Sequence, residues 1–201
     1  MRKLSQLNLK IIADAKGDRE EWLKVRSRGI GGSDAGAIMG VNKWSHPSTL
    51  WKEKCGLTPP TPPTIRMRCG SYLEAPVREM VQEIWGIEIE TSTATYQHPD
   101  HPFMLANIDG YCPSDESLIE IKTSMNYSWK EIPEYYEYQI LHYLAVTGLQ
   151  RCRLFCLFRL DKLQEYEVNR DDEKINALIE KEREFWQAVV SQTPIEVVPY
   201  F

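Results

Sequence analysis

Between residues 74 and 123 the apolar residues change their spacing once, and that change limits the fold more than any other feature of the chain. Val77, Met80, Val81, Ile84 and Trp85 recur at helical spacing from Glu74 onward, with Pro76 near the first turn, and Gly86 ends the run. Four short strand-like segments follow: IEIE (87–90), ATYQH (94–98), FMLANID (103–109) and SLIEIKT (117–123), separated by turn-forming stretches such as HPDHP and CPSD. Helical spacing returns over Tyr135–Val146, with Ile140, Tyr143 and Leu144 on one face. RCRLFCLFR (151–159) and LQEYEV (163–168) read as strands, and Ile175, Leu178, Ile179, Phe185 and Val189 mark a last helix capped near Asp171. This order predicts a mixed α/β layer and excludes a repeat array or a helical bundle.

Upstream, helices are expected at Asp18–Val25 and Pro47–Lys54, the second following Ser45 and stopped by Gly56. Between them RSRGIGGSD places Gly29, Gly31 and Gly32 where the backbone can approach a neighbour closely, and offers Ser33 or Asp34 as a helix cap. Residues 57–66, LTPPTPPTIR, read as an exposed connector in preference to a lid, because four prolines in five positions lock the backbone extended.

With 201 residues, 42% of them hydrophobic, a packed core needs no staples. No run approaches 18 consecutive apolar residues, so no membrane span or membrane partner is expected. The N-terminal segment lacks a small-residue cleavage site, which argues against a signal peptide, and a cytoplasmic protein is expected. Five cysteines without a CxxC pair suggest neither a disulfide framework nor a zinc site. The net charge of -5 hides a division: residues 1–80 carry 14 Lys+Arg against 8 Asp+Glu, and residues 81–201 carry 10 against 21. Such asymmetry suits a basic surface and an acidic site.

The acidic site is sought at Asp109 and at Glu120-Ile121-Lys122. Alternate residues of a strand face the same way, so Glu120 and Lys122 share a face while Ile121 enters the core. Asp109 is expected to end the preceding strand, and the turn through Pro113 and Asp115 brings it beside the others. Two carboxylates on strands suit Mg²⁺ or Mn²⁺, and a neighbouring lysine can orient a water or neutralise charge building on a phosphorane. By itself a Glu-x-Lys strand also describes an ordinary solvated face.

Six pieces in order change the balance: RSRGIGGSDAGAIMG, PSTLWKEKCG, GSYLEAPV, NIDG, EIKT, and Tyr136 to Gln139 leading to HYLAVTG, spanning residues 22–148. Together they resemble the lambda-exonuclease-type (YqaJ-like) phage recombination nucleases of the PD-(D/E)xK superfamily. The resemblance implies a single nuclease domain over residues 1–201 with a central mixed β-sheet flanked by helices. Within it fall a helical DNA-end-binding segment (1–60), a catalytic core (70–168) and a C-terminal helix (171–191). It also implies a Mg²⁺-dependent 5′-to-3′ exonuclease acting on double-stranded DNA ends, assembled as a ring-shaped homotrimer. Such an enzyme leaves a 3′ single strand for an annealing protein, within a bacterial host that carries the phage or prophage.

Residue by residue, the resemblance makes Asp109 and Glu120 metal ligands with the Ile121 carbonyl in reach, and Lys122 the water-positioning base or electrostatic stabiliser. Glu74 becomes an additional acid at the start of its helix, and Gln139 and Tyr136 orient water or phosphate from one helix face. Arg26 and Ser33 become contacts to a 5′-terminal phosphate, and Trp22 a wedge or stacking surface at an unpaired base. Arg28, Lys43, Arg66 and Arg68 are candidate contacts to the DNA backbone. Other readings remain open at this point: an endonuclease on the same core, a non-catalytic DNA-end binding module, or an iron-sulfur nuclease, which would need a cysteine cluster.

Overall fold

The computed structural model describes residues 1–14 and 24–195. Five α-helices lie against two four-stranded sheets in this region. The first sheet is formed by β1 (Lys10–Asp14), β2 (Ile30–Gly31), β3 (Ala94–Gln97) and β4 (Met104–Ala106), ordered β1-β3-β4-β2. The second runs β5 (Gly110–Cys112), β6 (Ser117–Ser124), β7 (Arg151–Phe158) and β8 (Lys162–Asn169) in sequence order. The helices are α1 (Gly32–Ile38), α2 (Pro47–Lys54), α3 (Ile65–Trp85), α4 (Glu134–Thr147) and α5 (Asp172–Val190).

The expected mixed α/β arrangement with helices flanking β-sheet is present, its strands shared between two mixed sheets, and the division falls at Asn107–Asp109 between β4 and β5. Asn107 turns its amide to Ala94 O and Thr95 Oγ1 of β3, at 3.3 and 2.9 Å, while the next strand joins β6. IEIE (87–90) contributes one bridge, Glu90 to Tyr111, in place of a strand. Its Ile89 packs beneath α3, and its Glu90 carboxylate accepts the Leu4 N–H at 2.7 Å. Within the segment expected to be helical over residues 1–60, Lys10–Asp14 forms strand β1, which pairs antiparallel with β3. Its side chains are almost all exposed, so no buried alternation marks it in the sequence. Of the helix expected at Asp18–Val25, residues 18–23 lie outside the described region.

The long helix α3 starts at Ile65, nine residues before Glu74. Thr64 caps it by accepting the Met67 N–H at 3.2 Å, and Pro76 sits in its interior. Proline removes one helical hydrogen bond, but Tyr72 and Pro76 are exposed, so water can serve the Tyr72 carbonyl that loses its partner. Glu74 is therefore a mid-helix residue, out of reach of the helix-start dipole.

β6 pairs antiparallel with β5 and parallel with β7, and α4 makes the crossover between the parallel strands. Both faces of β6 are covered. Ile119 and Ile121 meet Val77 and Val81 of α3, whereas Leu118 joins Ile140 and Leu144 of α4 in the main core. Close approach of α1 to α4 depends on two glycines: a Cβ on Gly32 would overlap the Tyr143 ring, and one on Gly36 would lie 2.7 Å from Tyr135 Cβ. On the far side of α4, His142 Nδ1 and Glu182 Oε1 of α5 meet at 2.8 Å, and His142 Nε2 reaches Leu105 O at 2.9 Å.

Candidate active site

Register brings the acidic residues together. Gly110 pairs with Ile119, so one step outward sets Asp109 beside Glu120. Asp109 lies in the bend leading into β5, not at the end of the preceding strand. Its Oδ2 accepts the Ile121 N–H at 2.8 Å. N–H and C=O of one strand residue point to the same edge, so the Ile121 carbonyl also faces the Asp109 side.

Across β6 the Lys122 ammonium meets Glu120 Oε1 at 2.5 Å and lies over the Tyr136 ring, 5.1 Å from its centroid. Gln139 donates from Nε2 to Glu120 Oε1 at 2.8 Å and to the Tyr143 hydroxyl at 3.1 Å. Glu120 is 1% exposed, and its second oxygen, Oε2, is buried with no hydrogen-bond partner. Glu74 reaches the same cluster through Arg78, whose Nη1 donates to Glu74 Oε1 and to Asp109 O, both at 3.1 Å. Asp109, Glu120, Lys122, Glu74, Gln139 and Tyr136 are therefore one neighbourhood.

The charges in it are strongly coupled. Burial and then the Glu120 charge push the Asp109 carboxyl well above the ordinary range, with Lys122 opposing. Burial also raises Glu120, again against the pull of Lys122. For Lys122 burial works against the ammonium, yet Glu120 and Asp109 overcome it and hold the group above the usual lysine range.

These are oxygen donors of the kind a hard cation takes. Among the described residues no three His, Cys, Asp or Glu side chains form a ready-made metal cage. Mg²⁺ does not need one: it retains several waters and takes one or two carboxylates together with substrate phosphate. Asp109, Glu120 with its unpartnered Oε2, and the Ile121 carbonyl fit that demand.

A second cluster lies at α1. Arg26 Nη2 donates to Ser33 Oγ at 2.5 Å and stands 3.3 Å from Asp34 Oδ1. Asp34 Oδ2 accepts the Gly31 N–H at 3.0 Å and pairs with Lys54 Nζ at 2.8 Å, and the same ammonium donates to Gly29 O at 2.7 Å. Neither Ser33 nor Asp34 is the cap residue. Gly31 holds that position, and Asp34 bonds back to it from the third position of the helix. Burial works against the Asp34 carboxylate, but Lys54 and Arg26 hold its pKa down to about 2. The two clusters adjoin through Tyr143, whose ring backs onto Gly32 and whose hydroxyl accepts from Gln139.

Arg28, Lys43, Arg66 and Arg68 are exposed, and Trp22 lies outside the described residues. Arg78, Tyr143, Asp34 and Lys54 join the two clusters without having been singled out as site residues. Arg78 and Tyr143 stand four residues after Glu74 and Gln139, so helical spacing alone would have flagged them.

Residues 21–150 match the family model of the YqaJ-like viral recombinase domain. The uncharacterized protein YqaJ of Bacillus subtilis (strain 168) is 37% identical over 176 residues, 84% of this chain and 55% of that protein. The chain thus spans about half the length of this curated relative. Among solved structures, the alkaline exonuclease LHK-Exo from Laribacter hongkongensis is similar with a TM-score of 0.72 at 22% identity, over 86% of this chain and 93% of that one. Its complex with dAMP gives the same figures. A phage-related exonuclease from Haemophilus somnus 129PT is similar with a TM-score of 0.65 at 15% identity, covering 82% of this chain and 96% of that one. At these identities the likeness establishes a shared fold.

Proposed function

The chain belongs to the YqaJ-like viral recombinase domain family, and from that premise we propose that it is a Mg²⁺-dependent exonuclease that resects linear double-stranded DNA from the 5′ end. The observation that carries the reading is the convergence of Asp109, Glu120 and Lys122 beside a buried carboxylate oxygen with no partner. A lone oxygen of this kind is costly unless a cation or donor completes it. Asp109, Glu120 and the Ile121 carbonyl would hold Mg²⁺, or Mn²⁺ in its place, with Glu74 near enough to assist. When bound, such an ion polarises a phosphoryl oxygen and favours deprotonation of a coordinated water.

The chain's own side chains supply the rest. The Lys122 ammonium faces the position where phosphoryl charge builds and offsets it. Gln139 holds Glu120 in place and, with Tyr136 beneath Lys122, restricts the water and phosphate that enter. Arg26 and Ser33 take the 5′-terminal phosphate, a group of up to two negative charges that an internal diester lacks. Arg28, Lys43, Arg66 and Arg68 contact the duplex backbone, and Trp22 meets an unpaired base. The 3′ strand left behind is substrate for a single-strand annealing protein. The enzyme works as a homotrimeric ring in the cytoplasm of a bacterium carrying the phage or prophage.

Digestion of end-labelled duplex tests this reading. Mononucleotides should leave the 5′ end in Mg²⁺ and not in chelator, faster from 5′-phosphate than from 5′-hydroxyl ends, while circular duplex stays intact. Nicking of the circle would make the protein an endonuclease, and binding without cleavage would make it an end-binding module.

A further inference from the structure

Past the catalytic end of the second sheet, one turn has a backbone that its sequence does not favour. β7 and β8 are joined through Arg159, Leu160 and Asp161, with the Asp161 N–H donating to Phe158 O at 2.9 Å. Arg159 and Leu160 have φ of 52° and 61°. A tight hairpin turn with positive φ at both central positions is normally built from Asn-Gly or Asp-Gly, because a side chain is disfavoured there. Two long, exposed side chains occupy it here. Backbone strain of this kind clusters at functional sites, so the turn is a place to look for one.

A role for the turn is indicated by what Arg159 covers. Its guanidinium carbon lies 4.1 Å from the centroid of the Tyr127 ring, and Tyr127 is 76% exposed. The Arg159 backbone is anchored to the end of β6, since its N–H donates to Ser124 O at 2.8 Å and Ser124 is the residue of β6 paired with Phe158. Ser124 stands two residues beyond Lys122, about 7 Å along the strand. The Tyr127–Arg159 pair therefore lies beyond the end of β6, on the rim toward which Lys122 and Ser124 lead.

We infer that Tyr127 and Arg159 form a stacking subsite for an unpaired nucleotide of the DNA at this rim, the ring taking the base and the guanidinium its phosphate. An exposed aromatic ring braced by arginine stacks on any base and is sequence-tolerant. The choice of ligand rests on the nuclease reading above; the choice of residues does not.

The test is equilibrium binding by fluorescence anisotropy in chelator, so that nothing is cut, with a blunt duplex and the same duplex carrying a ten-thymidine 3′ tail. Tyr127→Ala should weaken binding of the tailed duplex about tenfold while changing the blunt duplex less than about twofold, and Tyr127→Phe should match the wild type. Arg159→Gly separates a binding role from a structural one. Relieving the turn should raise the melting temperature while the tailed duplex binds several-fold more weakly. A Tyr127→Ala protein that holds the tail as tightly as the wild type overturns the subsite, as does one that loses both duplexes equally. An Arg159→Gly protein that melts lower makes Arg159 a structural residue of the hairpin and overturns its role. If the wild type fails to digest duplex in Mg²⁺ yet shows the Tyr127-dependent preference for the tail, the catalytic reading falls and the subsite stands. Digestion with no such preference overturns the subsite and leaves the catalytic reading standing.

Discussion

Lys122 gives the plainest test of the site at the scale of single residues, because its ammonium touches Glu120 and lies over Tyr136 while remaining partly accessible. Lys122→Ala, Asp109→Ala and Glu120→Ala should each lower single-turnover cleavage by about 10²–10³, the usual cost of one preorganised charge. Lys122→Gln keeps a donor for Glu120, so it should fold like the wild type by circular dichroism and still fail to cleave. A Lys122→Gln enzyme of wild-type speed would remove the lysine from the chemistry. In the proposed reaction Arg26 serves a different step. Arg26→Ala should reduce the advantage of 5′-phosphorylated over 5′-hydroxyl ends by roughly ten- to a hundredfold, since a charge-assisted hydrogen bond is worth about 1.5–3 kcal/mol. Slowing of both ends by one factor would assign Arg26 to the fold or the duplex backbone. Asp109, Glu120 and Lys122 were legible as one group because strand alternation and a short turn are local rules, whereas Gln139 and Tyr136 were attached to them only through the family resemblance. Arg78 was open to the helical rule through Glu74, one turn earlier, but its bond to Asp109 O joins residues 31 apart and no local period records that contact.

Elements are where the Asp34 cluster acts, tying α1 to α2 through Lys54. Its carboxyl has a pKa of about 2 against an ordinary 3.8. A group whose folded pKa is depressed adds stability above the unfolded value and loses it as pH falls through the folded one. Urea unfolding should therefore show the wild type giving up roughly 2 kcal/mol between about pH 4 and pH 2 that Asp34→Asn does not give up. A difference between the two proteins that stays constant over this window would mean that the Lys54 pairing contributes nothing net. The same elements explain what the sequence concealed. α5 was legible because it buries a periodic face, α2 from Ser45 and Gly56 at its ends, and β6, β7 and β8 as strand-forming runs bounded by turn residues. β1 buries almost nothing, so it leaves no pattern. The first nine residues of α3 are nearly all exposed as well, and Pro76 then mimics a first-turn proline, which moved the expected start to Glu74. The division into two sheets depends on Asn107 turning toward β3, a tertiary choice that no run of residues announces.

For the whole molecule the proposed function raises the question of how a chain of net charge -5 would stay on a polyanion. Its charge is divided, with the basic excess in residues 1–80, so initial capture of an end can still be electrostatic. That phase should weaken steeply with salt, by about 10³-fold or more between 50 and 200 mM if six or more phosphates are contacted. Once a ring encloses the duplex, escape requires opening an interface or reaching the end of the DNA, and neither step releases counterions. The proposed homotrimer thus predicts two different salt responses: association falls with added salt, while the length of each run, measured against an excess of unlabelled competitor DNA, changes by less than about twofold over the same range. Light scattering should return about three times the 23.4 kDa chain mass at the concentrations used. A single-chain mass, together with run lengths that shorten in step with association, would mean that charge alone holds the enzyme on DNA. The basic excess would then have to supply what the ring does not.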